Sequence, residues 1–182
     1  MTKKYELLKD DTKEYFGRTL YRIKALISFG AVVAGELGGY IEAEKNLDQS
    51  GNAWVCGNAE VYGNAWVSGD ARVYGNARVF GNARVYGNAR VFGNARVFGD
   101  AEVRSCAIVS ERKMIFWASN IGSENGTLTV FNGKDGLIVT RGCFTGTVDE
   151  FLAKSAEVHD EKTKREYQLL IEVAKSRILG AD

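Results

Sequence analysis

From Val55 to Val109 a valine recurs at every sixth residue without a slip, and from Ala53 to Ala107 an alanine recurs two positions ahead of each valine. The full unit, beginning at Gly51, reads Gly, Asn or Asp, Ala, a variable residue, Val, and a second variable residue. A period of six is a coil repeat and not a helix-pair repeat. Residues two apart in an extended segment point to the same side, so Ala and Val share an inner side and the variable residues flanking Val point outward.

An α-helix would scatter the valines around its axis, and a glycine in every turn would weaken it by roughly 1 kcal/mol each time. A unit of six residues is also too short for antiparallel hairpins. The remaining arrangement is a parallel coil of short strands joined by bends, with Gly and Asn or Asp at the bends because they tolerate positive φ. On these residues the chain resembles the hexapeptide-repeat, left-handed β-helix family, whose coils are triangular prisms with three six-residue faces. The resemblance implies that Val55, Val73, Val91 and Val109 stack on one face, Val61, Val79 and Val97 on the second, and Val67, Val85 and Val103 on the third. The expected fold is mainly β: a left-handed parallel β-helix over residues 51–110, preceded by an N-terminal cap and irregular first coil (1–50) and followed by a C-terminal β plus α module (111–182).

Outside the repeats the pattern changes. Tyr5 to Leu8 and Thr19 to Leu26 are short β-like runs around the polar stretch Lys9 to Gly17, and either a hairpin or a strand with a short helix fits them. Val33, Leu37, Ile41 and Leu47 are candidates for the core of an irregular first coil that blunts the open end of the prism. Met114 to Ala118, Thr127 to Phe131 and Leu137 to Thr140 predict a three-stranded meander, with Asn125-Gly126, Asn132-Gly133 and Asp135-Gly136 as turn residues. Thr147 and Glu150 form a capping box that opens a helix to about Glu157. A second helix is expected from about Asp160 to Leu179, stopping at Gly180, with Tyr167, Leu170, Ile171, Ala174 and Ile178 on its apolar face.

The order of segments also resembles that of certain bacteriophage and prophage proteins. The matching stretches are Thr19 to Ile23, Gly38-Gly39-Tyr40-Ile41-Glu42, the repeats themselves, and the turn Gly142-Cys143-Phe144. This resemblance implies a phage setting, hence the cytoplasm of a host cell, and carries no activity onto named residues.

Composition narrows the chemistry. A formal net charge of +1 over 182 residues, and about +2 within the repeats, provides little attraction for duplex DNA. No apolar run reaches the length of a membrane span. Cys56, Cys106 and Cys143 are widely spaced, so neither a disulfide framework nor a zinc site is expected. The single histidine, His159, lies between the predicted helices and not in a coil, unlike the general base of hexapeptide acyltransferases. One histidine also cannot supply the ligands of a metal-dependent relative. No catalytic residue, metal or cofactor is expected.

The exterior offers binding chemistry instead. Arg72 with Tyr74, Arg78 with Phe80, Arg90 with Phe92, and Arg96 with Phe98 each place a guanidinium and a ring one residue apart across a valine. A guanidinium makes a planar pair of hydrogen bonds to phosphate, and a ring is a platform for a base. Outward phenylalanines also call for cover, most simply in a homo-oligomer such as a trimer. The expected function is a non-enzymatic, homo-oligomeric binding protein. In a phage setting it would be a sponge for a host immune nucleotide of the cyclic or ADP-ribose type; the alternative is a structural or protein-interaction module that inhibits a host defence protein.

Overall fold

The computed structural model describes residues 2–180; Met1, Ala181 and Asp182, at the outer ends of the first and last expected segments, lie outside the described residues. Each repeat contributes one two-residue strand. In chain order after β1 (Tyr5–Tyr15), β2 (Arg18–Ala25) and β3 (Leu37–Ile41), these are β4 (Trp54–Val55), β5 (Glu60–Val61), β6 (Trp66–Val67), β7 (Arg72–Val73), β8 (Arg78–Val79), β9 (Arg84–Val85), β10 (Arg90–Val91), β11 (Arg96–Val97), β12 (Glu102–Val103) and β13 (Ile108–Val109). Strands eighteen residues apart pair in parallel, so that Val55, Val73, Val91 and Val109 stack, as do the other two expected columns. Every repeat valine and alanine from Ala53 to Val109 is fully buried. The result is a three-faced parallel β-solenoid.

The bends obey the steric argument. Glycines from Gly51 to Gly99 hold φ between 60° and 71°. A Cβ on Gly75 would also stand 3.0 Å from the backbone nitrogen of Gly93 in the next coil. The last bend uses Ser105, at φ 62° and exposed to solvent.

At the N-terminal end β1 and β2 form an antiparallel hairpin turned at Phe16 and Gly17, both at positive φ. β2 pairs with β3, and β3 pairs in parallel with β5, so the hairpin extends the second face into a six-stranded sheet. Of the two expected arrangements the hairpin is the one present, and the polar stretch from Lys9 is itself strand as far as Tyr15. Its side chains alternate, with Asp11, Lys13 and Tyr15 on the more covered side and Asp11 paired to Arg22 at 2.8 Å.

The first coil is irregular as expected, but only Ile41 and Leu47 of its candidate residues are buried; Val33 and Leu37 are exposed, and Val32 takes the inner place. Ile41 pairs with Val61 and Leu47 with Val67, each twenty residues on, so the two additional residues fall between Leu47 and Val55. Gln49 in that stretch accepts from the backbone N–H of Lys4 at 2.8 Å. The Lys4 ammonium donates to the carbonyls of Ser50 (3.1 Å) and Ala53 (3.0 Å) on the end coil.

The C-terminal end is closed by a four-stranded antiparallel sheet, β14 (Ile115–Ile121), β15 (Gly126–Gly133), β16 (Gly136–Arg141) and β17 (Phe144–Thr147). The expected meander had three strands; Phe144–Thr147 adds the fourth by pairing back on β16. Asn132 and Gly133 lie within β15 and not at its turn, and Asn132 Nδ2 donates to the Ile108 carbonyl at 3.2 Å. Strand alternation gives the sheet two apolar faces. Ile115, Phe131 and Ile138 join the solenoid core, while Ile121, Leu128, Val130 and Val139 join the helices. Thr129 and Thr140 are buried against the last coil, where Thr129 Oγ1 accepts from Glu102 N (3.1 Å) and Thr140 Oγ1 donates to Glu102 O (3.0 Å).

Helix α1 (Val148–Val158) starts on the expected capping box: Glu150 N donates to Thr147 Oγ1 and Thr147 N donates to Glu150 Oε2. Helix α2 (Glu161–Leu179) is capped by Asp160, and its residues Tyr167, Ile171, Ala174 and Ile178 are buried on the sheet, with Leu170 partly buried beside them. Among the described residues no helix is long and apolar enough to cross a membrane.

The N-terminal cap generates a pH dependence. Lys4 is only 2 % exposed, and burial, opposed by the attraction of Asp48, lowers its pKa to about 8. The folded chain then binds fewer protons than the unfolded chain between about pH 8 and the free lysine value of about 10.4, so stability rises with pH across that window. Burial, with Glu44 and Asp48 adding to it, raises the Tyr5 hydroxyl instead. The unfolded chain therefore loses that proton first, and stability falls above about pH 10. Urea midpoints should climb from pH 8 to a maximum between about pH 9 and 10 and then drop, and Lys4→Met should flatten the climb. A steady decline from pH 8 would contradict the assignment.

Candidate functional site

The four arginine and aromatic pairs divide between two faces of the solenoid. Arg78, Phe80, Arg96 and Phe98 stand on the second face; Arg72, Tyr74, Arg90 and Phe92 stand on the first. In-register strands place equivalent side chains one above another at the strand spacing, which suits planar rings. Tyr62, Phe80 and Phe98 accordingly stack with centroids 5.1 and 4.9 Å apart and planes within 6° of parallel. Tyr74 and Phe92 stack at 4.9 Å and 3°.

The second face is largely engaged within the chain. Tyr15 of the hairpin packs on Tyr62 at 5.4 Å, and Trp117 of β14 meets Phe98 edge-on at 4.5 Å. The rings therefore have a neighbour at either end. Arg78 forms an ion pair with the buried Glu60 at 2.9 Å, donates to the Tyr15 hydroxyl at 3.1 Å and lies over the Tyr15 ring at 4.7 Å. Lys13 supplies a second, longer contact to Glu60 at 3.5 Å. Burial, reinforced by the neighbouring Tyr15 hydroxyl, pushes the Tyr62 pKa up to about 12. Arg96 on this face is half-buried.

The first face is different. Its outward column runs Cys56, Tyr74, Phe92 and Ser110, so the small Cys56 stands one rung from Tyr74 where the second face has a ring. Ala31, Cys56, Arg72, Tyr74 and Arg90 line a groove of about 510 Å³. Among the described residues no carboxylate lies within ion-pair distance of Arg72, Arg90 or Arg96. Burial raises the Cys56 thiol above its ordinary value; Arg72 opposes that shift and Glu36 adds to it. The groove thus combines two guanidinium groups without ion-pair partners, a partly exposed tyrosine and a thiol.

Outward phase does not mean exposure everywhere. Trp54, Tyr62 and Ser68 are buried, and Trp54 is covered by Tyr5 and Phe29 at centroid distances of 6.3 and 5.3 Å. Ala31 and Cys56 were not among the expected ligand contacts. The eighteen-residue column identifies Cys56 as the neighbour of Tyr74, whereas Ala31 reaches the groove only through the fold of the first coil. On the third face Arg104 donates to the Tyr86 hydroxyl (2.6 Å) and to the Gly142 and Phe144 carbonyls, tying the solenoid to the C-terminal module. Among the described residues no three His, Cys, Asp or Glu side chains gather as a metal-binding group.

A family model described as the YdcK β-solenoid repeat matches residues 71–87, 83–99 and 89–104. These matches fall in the regular coils and agree with a repeat β-helix family. None of the curated proteins matches the chain.

The two faces should respond differently to loss of an arginine. Arg78→Ala leaves Glu60 buried with only the longer Lys13 contact, and a loss of roughly 1–3 kcal/mol in denaturant unfolding is expected, discounted for partial exposure. Arg90→Ala removes an exposed, unpaired side chain and should change stability by less than about 0.5 kcal/mol.

Proposed function

We propose that the protein is a non-enzymatic binding protein whose first face captures a nucleotide. The observation that carries this reading is the groove beside Cys56, where Arg72 and Arg90, without a carboxylate in ion-pair distance among the described residues, stand beside the partly exposed Tyr74. A base stacked there would take the next place in the Tyr74 and Phe92 ladder, and the two guanidinium groups would take the phosphates. The groove volume lies within the range of ordinary small-molecule sites. A second subunit laid along this face, in a trimer or another homo-oligomer, would exclude water and strengthen the arginine contacts.

In a phage-infected cell such a protein would be a sponge, holding a host immune nucleotide of the cyclic or ADP-ribose type and releasing it unchanged. A second reading, inhibition of a host defence protein, draws on the third face, where Trp66 is 39 % exposed one coil below the exposed Arg84. Tryptophan and arginine are enriched among residues that dominate protein interfaces.

Calorimetric titration with cyclic dinucleotides and ADP-ribose separates the readings. Arg72→Ala or Arg90→Ala should weaken binding by about ten- to a hundredfold, the range for a lost charged hydrogen bond. Cys56→Phe should abolish binding by continuing the ladder into the groove, with the fold preserved by circular dichroism. No binding by any nucleotide in the panel, or binding indifferent to these substitutions, would refute nucleotide capture.

A further inference from the structure

A second cavity lies in the C-terminal module, away from the solenoid groove, with a volume of about 170 Å³. Its walls come from the β14 to β15 and β16 to β17 turns and from both helices. Phe144, Phe151 and Tyr167 form a continuous aromatic wall, with centroid distances of 5.4 Å between the first two and 5.1 Å between the last two. His159 lies edge-on to Tyr167 at 5.3 Å.

Two polar atoms in these residues have no partner: Ser155 Oγ, on a side chain that is 3 % exposed, and His159 Nδ1. The helix uses the Ser155 carbonyl, which accepts from His159 N at 3.0 Å, and leaves the hydroxyl unused. A buried polar group without a bond costs about 1–3 kcal/mol, and native proteins hold few of them. Of six such atoms among the described residues, two belong to residues lining this one cavity, and they point to an occupant with hydrogen-bonding oxygens.

The charge around the cavity centres on Arg141. Arg141, Lys154 and Glu124 line it, and Lys154 is drawn to Glu157 at 3.5 Å. Arg141 Nε donates to the Tyr167 hydroxyl at 3.1 Å, and its nearest carboxylate, on the 81 % exposed Glu124 side chain, is 3.8 Å away. The guanidinium is therefore fixed in orientation by Tyr167 and only loosely compensated. The volume is below the roughly 300 Å³ at which sites for drug-sized ligands begin, so a nucleotide does not fit but one ring bearing an acid group does.

We propose that this cleft binds a small aromatic anion, an aryl carboxylate or aryl phosphate. The ring lies against Phe151 and Tyr167, and the acid group meets the Arg141 guanidinium and the Ser155 hydroxyl. Nothing in this site depends on the solenoid groove, so loss of nucleotide binding there leaves it standing.

Cys143, exposed at the mouth of the cleft, supplies the measurement, and Cys106, exposed but outside this cavity, the control. Alkylation of the full chain by iodoacetamide is followed at each cysteine by mass spectrometry, in the presence of benzoate, phenyl phosphate, benzyl alcohol or inorganic phosphate. Benzoate or phenyl phosphate should slow alkylation of Cys143 severalfold and leave Cys106 unchanged, and the more protective of the two identifies the acid group. Ser155→Ala should raise the concentration for half-protection about tenfold, the effect of one hydrogen bond to a charged group. Arg141→Gln should raise it further. Absence of protection by both aryl acids overturns the proposal. So does equal protection by benzyl alcohol or by inorganic phosphate alone, or protection that survives both substitutions.

Discussion

The structure depends on main-chain hydrogen bonding between coils that repeat every eighteen residues. Each coil presents the next with the same row of amides and carbonyls, and the buried Ala and Val columns hold that register because a slip of one residue would turn every valine outward. Such a stack has no internal reason to stop. An unpaired edge at either end is a template for another chain, so both ends need closure of a different kind.

The two ends solve this by different chemistry. At the N-terminal end a hairpin lies along the second face, and a buried ammonium is spent on carbonyls of the end coil. At the C-terminal end an antiparallel sheet crosses the last coil, with Thr129 and Thr140 bonding the main chain of Glu102. These closures also decide which exterior residues remain available. The hairpin brings Tyr15 and Lys13 onto the second face and β14 brings Trp117, so the ladder there is flanked at both ends within the chain while Phe98 stays 39 % exposed. The first face receives no such cover at Cys56, and its arginines stay unpaired.

Much of this was legible in the residues. The period of six gave the buried Ala and Val phases and a parallel coil, the resemblance to hexapeptide-repeat proteins implied the three faces and their stacks, and the box at Thr147 gave the start of α1 because capping is local. The fate of the outward residues was less legible. That Glu60 and Arg78 pair could be read from their eighteen-residue separation, but that Tyr15 joins them depends on where a hairpin forty-five or more residues upstream comes to rest. Trp54 is buried for the same long-range reason. The β17 strand was missed because Phe-Thr-Gly-Thr is short and polar, and only pairing with β16 makes it a strand. The C-terminal cleft carries no periodic signal, since its walls come from two turns and two helices whose convergence is set by packing.

The triangular register also constrains how the length of this chain can change. Adding or removing three units shifts one end by a whole coil and leaves every face aligned with its own continuation. Adding or removing a single unit would rotate the C-terminal module by a third of a turn about the long axis. The module would carry its contacts with the last coil along, Trp117 on Phe98 and Arg104 on Gly142 and Phe144, but the ladder that now runs from Tyr15 through Tyr62, Phe80 and Phe98 to Trp117 would no longer begin and end on one face. Changes in length by whole turns are thus the ones this architecture absorbs, and the solenoid works as a ruler graduated in coils.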